Sequence, residues 1–360
     1  MCREKPIEER RKILYVVEAM GGGVFTYIVD LANTLIDTYD IYIAYAVRKQ
    51  TPLNYKSYFD KRIKLIKVEN FCREIKPIKD IAAIKEIKQI VTEIKPDIIH
   101  LHSSKAGVIG RIAFDGNGIP MFYTPHGYSF LMKNASRIKR SVYWGIEKVF
   151  AKRNCTIISC SKGEYQESLK LTSNATYVDN AINTEKLKEQ LNEVKEEKHP
   201  FTVFTLGRIC YQKNPQQFNE IAKAMPDIKF LWIGDGEMRN ELSSSNIEIT
   251  GWVDRETALK KSKNADVFVL TSLWEGLPIS LLEAMYMKKL CVVSNVIGNR
   301  DVIHNRKNGY VCSTVEEFVT AIKENNLECR EQAYLDLMNH YETQVQAKGY
   351  MEIYNRRLSL

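Results

Sequence analysis

The sequence predicts an α/β protein built as two similar β/α/β domains that face a central cleft. Three observations lead there. Short apolar runs of strand length alternate with helix-periodic segments along nearly the whole chain, the pattern of parallel β/α winding. The alternation breaks once, at a charged stretch around residues 181–200, and then starts again. With 360 residues the chain is too long for one ordinary core and suits two domains of ~150–180 residues each.

The elements follow in order. Ile13–Val17 is a short apolar run typical of a buried parallel strand. Gly21-Gly22-Gly23 makes a turn, and Val24–Ile36 reads as a helix with Ile28, Leu31, Ala32 and Leu35 along one stripe. Ile41–Val47 is a second strand. Ile81–Ile94 is an amphipathic helix with Ile81, Ile84, Ile87, Val91 and Ile94 near helical spacing. Asp97–Leu101, Met121–Thr124 and Thr156–Ser159 complete the strands of the first half. The second series has strands at Phe201–Leu206, Lys229–Ile233, Ile247–Thr250, Val267–Leu270 and Leu290–Val293, with helices at Gln216–Ala224 and Pro278–Met287. The tail after Ala333 is helical in pattern. The expected domains are 1–180, a linker at 181–200 that is charged and poor in core residues, 201–335, and a helical tail, 336–360, packing back on the first domain.

Composition narrows the function classes. Residues 1–180 hold 29 Lys and Arg against 19 Asp and Glu, and residues 181–360 hold 23 against 25, so the net +8 divides as +10 and −2. The basic half suits nucleic acid, anionic lipid or a phosphorylated substrate, and charge alone does not choose among them. No nucleic-acid module is recognisable, so no nucleic-acid partner is expected. The eight cysteines, Cys2 among them, are irregularly spaced and form no CxxC pair or zinc pattern; they read as free thiols of a reducing compartment. The charged start, MCREKPIEERRK, lacks the apolar run of a signal peptide, and no apolar stretch is long enough to span a membrane. A cytoplasmic protein is expected.

The most informative segment is Glu275-Gly-Leu-Pro-Ile-Ser-Leu-Leu-Glu283. Pro278 suits the first turn of a helix, leaving the N–H groups of Gly276 and Leu277 free just ahead of it, an arrangement that binds anions such as a diphosphate. Glu275 and Glu283 are eight residues apart, about 2.2 turns of helix, and would project along one face to bind sugar hydroxyls. Gly207-Arg208-Ile-Cys-Tyr-Gln-Lys213 follows the first strand of the second domain, where open α/β sheets bind ligands. Arg208 and Lys213 would stabilise a leaving diphosphate. Gly234, in Ile233-Gly-Asp-Gly-Glu237, and Val253, in Gly251-Trp-Val-Asp254, would line a nucleobase pocket. Asp235 and Glu237 read as turn formers. In the first domain, Gly22 and Gly23 would let backbone approach the same phosphates. His126, in Thr124-Pro-His-Gly-Tyr-Ser-Phe130, would face the reacting sugar.

The order GGG, PHGYSF, GRxxxxKN, GDGE and EGLPISLLE, over about residues 12–350, resembles the retaining glycosyltransferases of family 4, which have the GT-B fold of two Rossmann-like domains. The resemblance implies that Glu283 holds the donor's ribose and Glu275 contacts the donor sugar. The amides of Gly276 and Leu277 would touch phosphate or sugar, Arg208 and Lys213 the diphosphate, and His126 the donor sugar on the acceptor side. It further implies a nucleotide-sugar co-substrate, more often UDP- than GDP-linked, transfer with retention, no metal or other cofactor, and a glycan or lipid-linked saccharide acceptor in surface polysaccharide synthesis. The turn Ile297-Gly-Asn-Arg-Asp301 departs from the family's usual double glycine and glutamate.

Other readings are weaker. A nicotinamide-dependent oxidoreductase needs a GxGxxG turn with an acidic residue ~20 positions on, and none occurs. A catalytically silent nucleotide-sugar-binding protein would keep every donor-site residue, so only turnover separates it from an enzyme. His100 and His102 close a strand and are expected to pack. Ser136–Arg153 carries an apolar stripe (Ile138, Val142, Ile146, Val149, Phe150) beside Lys139, Arg140, Lys148, Lys152 and Arg153. The expected role is an ordinary helix covering the first domain; the alternative is an interfacial helix on the anionic inner face of the membrane.

Overall fold

The structure, a computed structural model, describes residues 10–48, 51–72, 74–195 and 197–359. Cys2 and most of the charged start lie outside them; the other seven cysteines are free thiols. The first half runs β1 (Lys12–Met20), α1 (Gly22–Leu35), β2 (Asp40–Val47), β3 (Lys64–Lys67), α2 (Pro77–Ile94), β4 (Ile98–His102), α3 (Ser104–Ala113), β5 (Met121–Thr124), α4 (Arg137–Phe150), β6 (Cys155–Ser159), α5 (Lys162–Leu169), β7 (Ala175–Tyr177) and α6 (Thr184–Asn192). The second runs β8 (Thr202–Leu206), α7 (Pro215–Lys223), β9 (Lys229–Ile233), β10 (Ile247–Ile249), α8 (Arg255–Lys263), β11 (Val267–Leu270), α9 (Ile279–Tyr286), β12 (Leu290–Ser294), α10 (Asn299–Val302), β13 (Tyr310–Cys312), α11 (Val315–Glu324), α12 (Leu327–His340) and α13 (Thr343–Leu358).

Two parallel sheets result, ordered β3-β2-β1-β4-β5-β6-β7 and β10-β9-β8-β11-β12-β13. In each, the chain winds outward from the first strand and then crosses over to its other side. The strand order therefore reverses between β1 and β4 and between β8 and β11, and such a reversal opens a crevice at the carboxyl ends of the strands. Both faces of each sheet are covered, which is why the central strands are apolar throughout: every residue of Ile13–Val17 and Val267–Leu270 is buried.

Two assignments differ from the sequence reading. The charged stretch 181–200 is not a bare linker. It holds α6, capped by the Asn183 side chain accepting from the Lys186 amide, with Leu187 and Leu191 in the core of the second domain. Its charges sit on the outer face of a short amphipathic helix, so few apolar positions suffice to dock it. The helical tail packs back on the first domain as expected: α13 lies against α1, and its Tyr350 and Tyr354 are fully buried among first-domain residues.

The second difference is α4, which does not cover the first domain with its apolar stripe. Its inner side is polar: Glu147 is buried and pairs with buried Arg111 at 2.8 Å, and it accepts from the Tyr123 hydroxyl at 2.9 Å. Tyr143 packs beside it on the inner core. This rotation turns the i, i+4, i+11 set outward, leaving Ile138 80%, Val142 53% and Val149 62% exposed. Lys139, Lys152 and Arg153 are exposed around them. The amphipathic period was correctly read; the inward face was not. Among the described residues, no helix is long and apolar enough to cross a membrane.

Candidate active site

A cavity of about 560 Å³ lies between the domains, at the carboxyl ends of both sheets. Gly21–Gly23 reach it from the turn after β1, and His126 from the turn after β5. Arg208 and Lys213 come from the segment after β8, and Glu275, Gly276 and Leu277 from the segment after β11. Glu283 lines it from within α9. All these residues were named from the sequence, and the fold brings them together.

Gly234 and Val253 are not among the lining residues. Gly234 has a φ of 137°, and a Cβ there would lie 2.2 Å from the carbonyl oxygen of Gly207. Its role is to let β9's end pack under the β8 turn. Val253 packs on the apolar core of the second domain.

The helix α9 starts at Ile279, with Pro278 one position ahead as its cap rather than inside the first turn. Gly276 is required here. A Cβ on it would stand 2.9 Å from Cys160 Sγ and 3.3 Å from the Gly127 nitrogen, so only glycine lets the domains meet backbone to backbone at this point. The partner turn is held from below. Buried Glu164 accepts from the Gly127 amide at 2.6 Å and from the Cys160 amide at 2.8 Å. Burial pushes the Glu164 carboxyl up, and those amides pull against it. His126 takes a left-handed φ of 55° in this turn. The divergent turn Ile297–Asp301 does not line the cavity; its Asp301 accepts from the Gly163 amide at 2.8 Å, tying the domains together.

Five of the charged groups that line the cleft are paired. Lys213 Nζ lies 2.7 Å from Glu275 Oε1, and Gln212 Nε2 lies 3.3 Å from the other oxygen. Arg255 Nη1 lies 2.7 Å from Glu283 Oε1. Arg208 pairs with Glu237 at 2.9 Å, so Glu237 does more than form a turn. Arg208 and Lys213 both reach the cavity but rest on separate carboxylates. Asp30 on α1 also lines the cleft, and burial raises its carboxyl to about 6 against the pull of Lys186 and Arg255. Asn180 donates to the Leu277 carbonyl at 2.7 Å, and its Oδ1 has no hydrogen-bond partner. Asp30, Asn180, Lys186, Gln212 and Arg255 were not singled out from the sequence. Gln212 stands inside the Gly207–Lys213 motif but was passed over; no motif marks the other four, and only the topology carries them to the cleft.

His126 is neutral. Burial depresses its imidazole to about 3. His100 and His102, fully buried behind it, are depressed by the same cause.

Comparison with known proteins agrees with this geometry. Residues 21–186 match the model of Glycosyltransferase Family 4, and residues 183–333 match that of Glycosyl transferases group 1. The chain is 32% identical over 297 residues to UDP-Gal:alpha-D-GlcNAc-diphosphoundecaprenol alpha-1,3-galactosyltransferase of Escherichia coli, covering 74% of this chain and 75% of that protein. Among solved structures, sucrose-phosphate synthase of Thermosynechococcus elongatus superposes with a TM-score of 0.82 at 14% identity, over 97% of this chain and 100% of that one. HepE of Anabaena in complex with UDP-glucose superposes with a TM-score of 0.74 at 15% identity, over 96% and 99%. From its paired sheets, its interdomain cleft and these matches, the chain is a GT-B glycosyltransferase and belongs to glycosyltransferase family 4.

Proposed function

We propose that the enzyme transfers a hexosyl or N-acetylhexosaminyl group from a UDP-sugar to a diphospholipid-linked saccharide, with retention, in surface polysaccharide synthesis. The observation that supports this best is the convergence of Arg208, Lys213, the Gly276 and Leu277 amides, Glu275, Glu283 and His126 on one interdomain cavity. The donor's diphosphate lies between Arg208 and Lys213, Glu283 accepts from the ribose, and Glu275 accepts from the transferred sugar. The anomeric C–O bond to phosphate breaks, and the acceptor hydroxyl bonds to the same carbon on the same face. Its proton passes to the leaving diphosphate oxygen. The two cations and the amides neutralise that leaving group without a metal. The acceptor class rests on the Escherichia coli relative, whose name specifies a diphosphoundecaprenol-linked sugar and a UDP-sugar.

The test is a thermal-shift panel of UDP, GDP, ADP, CMP and NAD with EDTA present. A ligand at 100 times its Kd stabilises the fold by about 2.7 kcal/mol. UDP is expected to raise the melting temperature, and Glu283→Ala to remove most of that rise. No shift with any nucleoside diphosphate, or one with NAD alone, overturns the reading. A UDP shift without turnover on any UDP-sugar favours the silent binding protein.

A cytoplasmic enzyme with a lipid-linked acceptor must reach the bilayer, and the outward stripe of α4 supplies a surface for that. Ile138, Val142 and Val149 enter the headgroup region while Lys139, Lys152 and Arg153 meet anionic lipid, each worth ~1 kcal/mol near the surface. In flotation, the protein is expected to bind vesicles containing phosphatidylglycerol, and the pair Ile138→Asp and Val142→Asp to lose that binding. Equal, negligible flotation with neutral and anionic vesicles excludes it.

A further inference from the structure

Behind the cavity the first domain holds a stack of three histidines. His126 borders the cleft, half-buried. Its ring lies side by side with that of His102, centroids 5.3 Å apart and planes 24° from parallel, and His102 lies over His100 at 4.1 Å. Strand register brings this about: His102 pairs with Thr124 across β4 and β5, so the residue two past Thr124 meets the end of β4. His100 is held at both nitrogens, Nδ1 by the Tyr354 hydroxyl at 2.6 Å and Nε2 by Thr124 Oγ1 at 2.9 Å. The edge of Tyr27 closes the other side of His126, 4.6 Å away.

The one polar contact between His102 and His126 runs from Nδ1 of the first to Nε2 of the second, at 3.1 Å. The far nitrogen of His102, Nε2, is buried and has no hydrogen-bond partner among the described residues. Both rings are neutral, so each carries one proton, and one must donate while the other accepts. Two arrangements exist. If His126 donates from Nε2, the His102 proton sits on Nε2, a buried N–H with no acceptor. If His102 donates from Nδ1, its orphaned nitrogen carries only a lone pair. A buried orphan N–H is the rarer and costlier state. The second arrangement is therefore preferred, and it leaves the proton of His126 on Nδ1.

We propose that His102 is a positioning residue: by donating to Nε2 of His126 it locks that ring as the Nδ1–H tautomer, so that His126 meets the transferred sugar as a hydrogen-bond donor to an oxygen and not as a proton acceptor. The inference rests on reading the cleft as the transfer site and refines what that site does. A donor at this position favours a sugar with an oxygen to accept it, and it leaves the acceptor's proton to the leaving diphosphate. The Tyr354 and Thr124 bonds fix the His100 ring over which His102 packs, which connects α13 to the geometry of the cleft.

The test uses the full chain labelled with 15N-histidine, read by long-range 15N–1H correlation near pH 7.5. The His126 signals are identified by their loss in His126→Gln. A pyrrole-type Nδ1 and a pyridine-type Nε2 on His126 are expected; the reverse pattern overturns the proposal whatever the enzyme transfers. Kinetics give a second readout. His102→Asn keeps an amide N–H near the position of Nδ1, and His102→Leu keeps none. Removal of a transition-state donor outright costs ~10²–10³-fold, so loss of its orientation is expected to lower kcat about 10-fold or more in His102→Leu, with donor KM little changed. His102→Asn is expected to recover most of that loss. UDP-induced thermal shift, unchanged in both variants, shows that folding and nucleotide binding survive. Equal loss in both variants, or wild-type kcat in His102→Leu, contradicts the role.

Discussion

Lys213→Ala is expected to lower kcat by about 10²–10³-fold, the effect of deleting one preorganised group aimed at developing charge. The reason lies in the geometry of the cleft. Lys213 is mostly buried, 17% exposed at the side chain, and its ammonium is 2.7 Å from Glu275. The side chain runs beside the Gly207 turn, with Cε 3.5 Å from where a Cβ on Gly207 would stand. In that low-dielectric position a cation acts strongly on a diphosphate and loses little to solvent reorganisation. With the donor placed as proposed, the alanine variant also leaves the Glu275 carboxylate, with Gln212 beside it, facing the diphosphate, which adds repulsion to the lost attraction. Lys213→Arg keeps the charge and is expected to retain more activity than Lys213→Ala. Steady-state kinetics on a UDP-sugar measure both, and a wild-type rate in Lys213→Ala would remove Lys213 from the site.

Glu147→Ala is expected to destabilise the first domain by about 3–5 kcal/mol, because it strands a buried guanidinium. Arg111 is fully buried, donates from Nε to the Gly107 carbonyl at 2.8 Å, and lies 4.3 Å from the centre of the Tyr123 ring. Its Nη1 already lacks a hydrogen-bond partner among the described residues, so removing the carboxylate leaves the charge with no counterion among them. For a domain of this size the melting temperature would fall by roughly 10 °C. The double variant Arg111→Met with Glu147→Leu is expected to recover most of the loss, since apolar replacement of a whole buried pair is often neutral. Thermal melts followed by circular dichroism decide it. A Glu147→Ala melt close to wild type would mean that α4 is docked by other contacts.

The two predictions draw on parts of the molecule that were unequally legible beforehand. Lys213 follows β8 in a motif with its glycine and arginine, and strand, turn and ligand-binding position lie within a dozen residues. The anchoring of α4 depends on Arg111, Tyr123 and Glu147, which no local pattern joins. The same contrast holds along the sheets. The central strands are apolar runs and were placed within a residue or two, except that β1 runs on three residues further to Met20; Met121–Thr124, Lys229–Ile233 and Val267–Leu270 were placed without change. The edge strands β3, β7 and β13 were missed. They are three or four residues long, and Lys64-Leu-Ile-Lys67 is half polar, because an edge buries little and must resist pairing with other chains.

Residue pattern alone dictates the doubly wound α/β class, the repetition of that winding in two domains, and the glycine, proline and charged motifs that meet at the cleft. Those features are local, written in periods of two and 3.6 and in turn chemistry. Tertiary structure decided three things that they leave open. Strand order placed Arg255 of α8 against Glu283 of α9, 28 positions apart. Register between β4 and β5 set His102 beside His126. Rotation of α4 about its own axis chose between burying its apolar stripe and burying Glu147. Each depends on which neighbour an element meets, and an amphipathic pattern specifies a face without specifying what that face will touch.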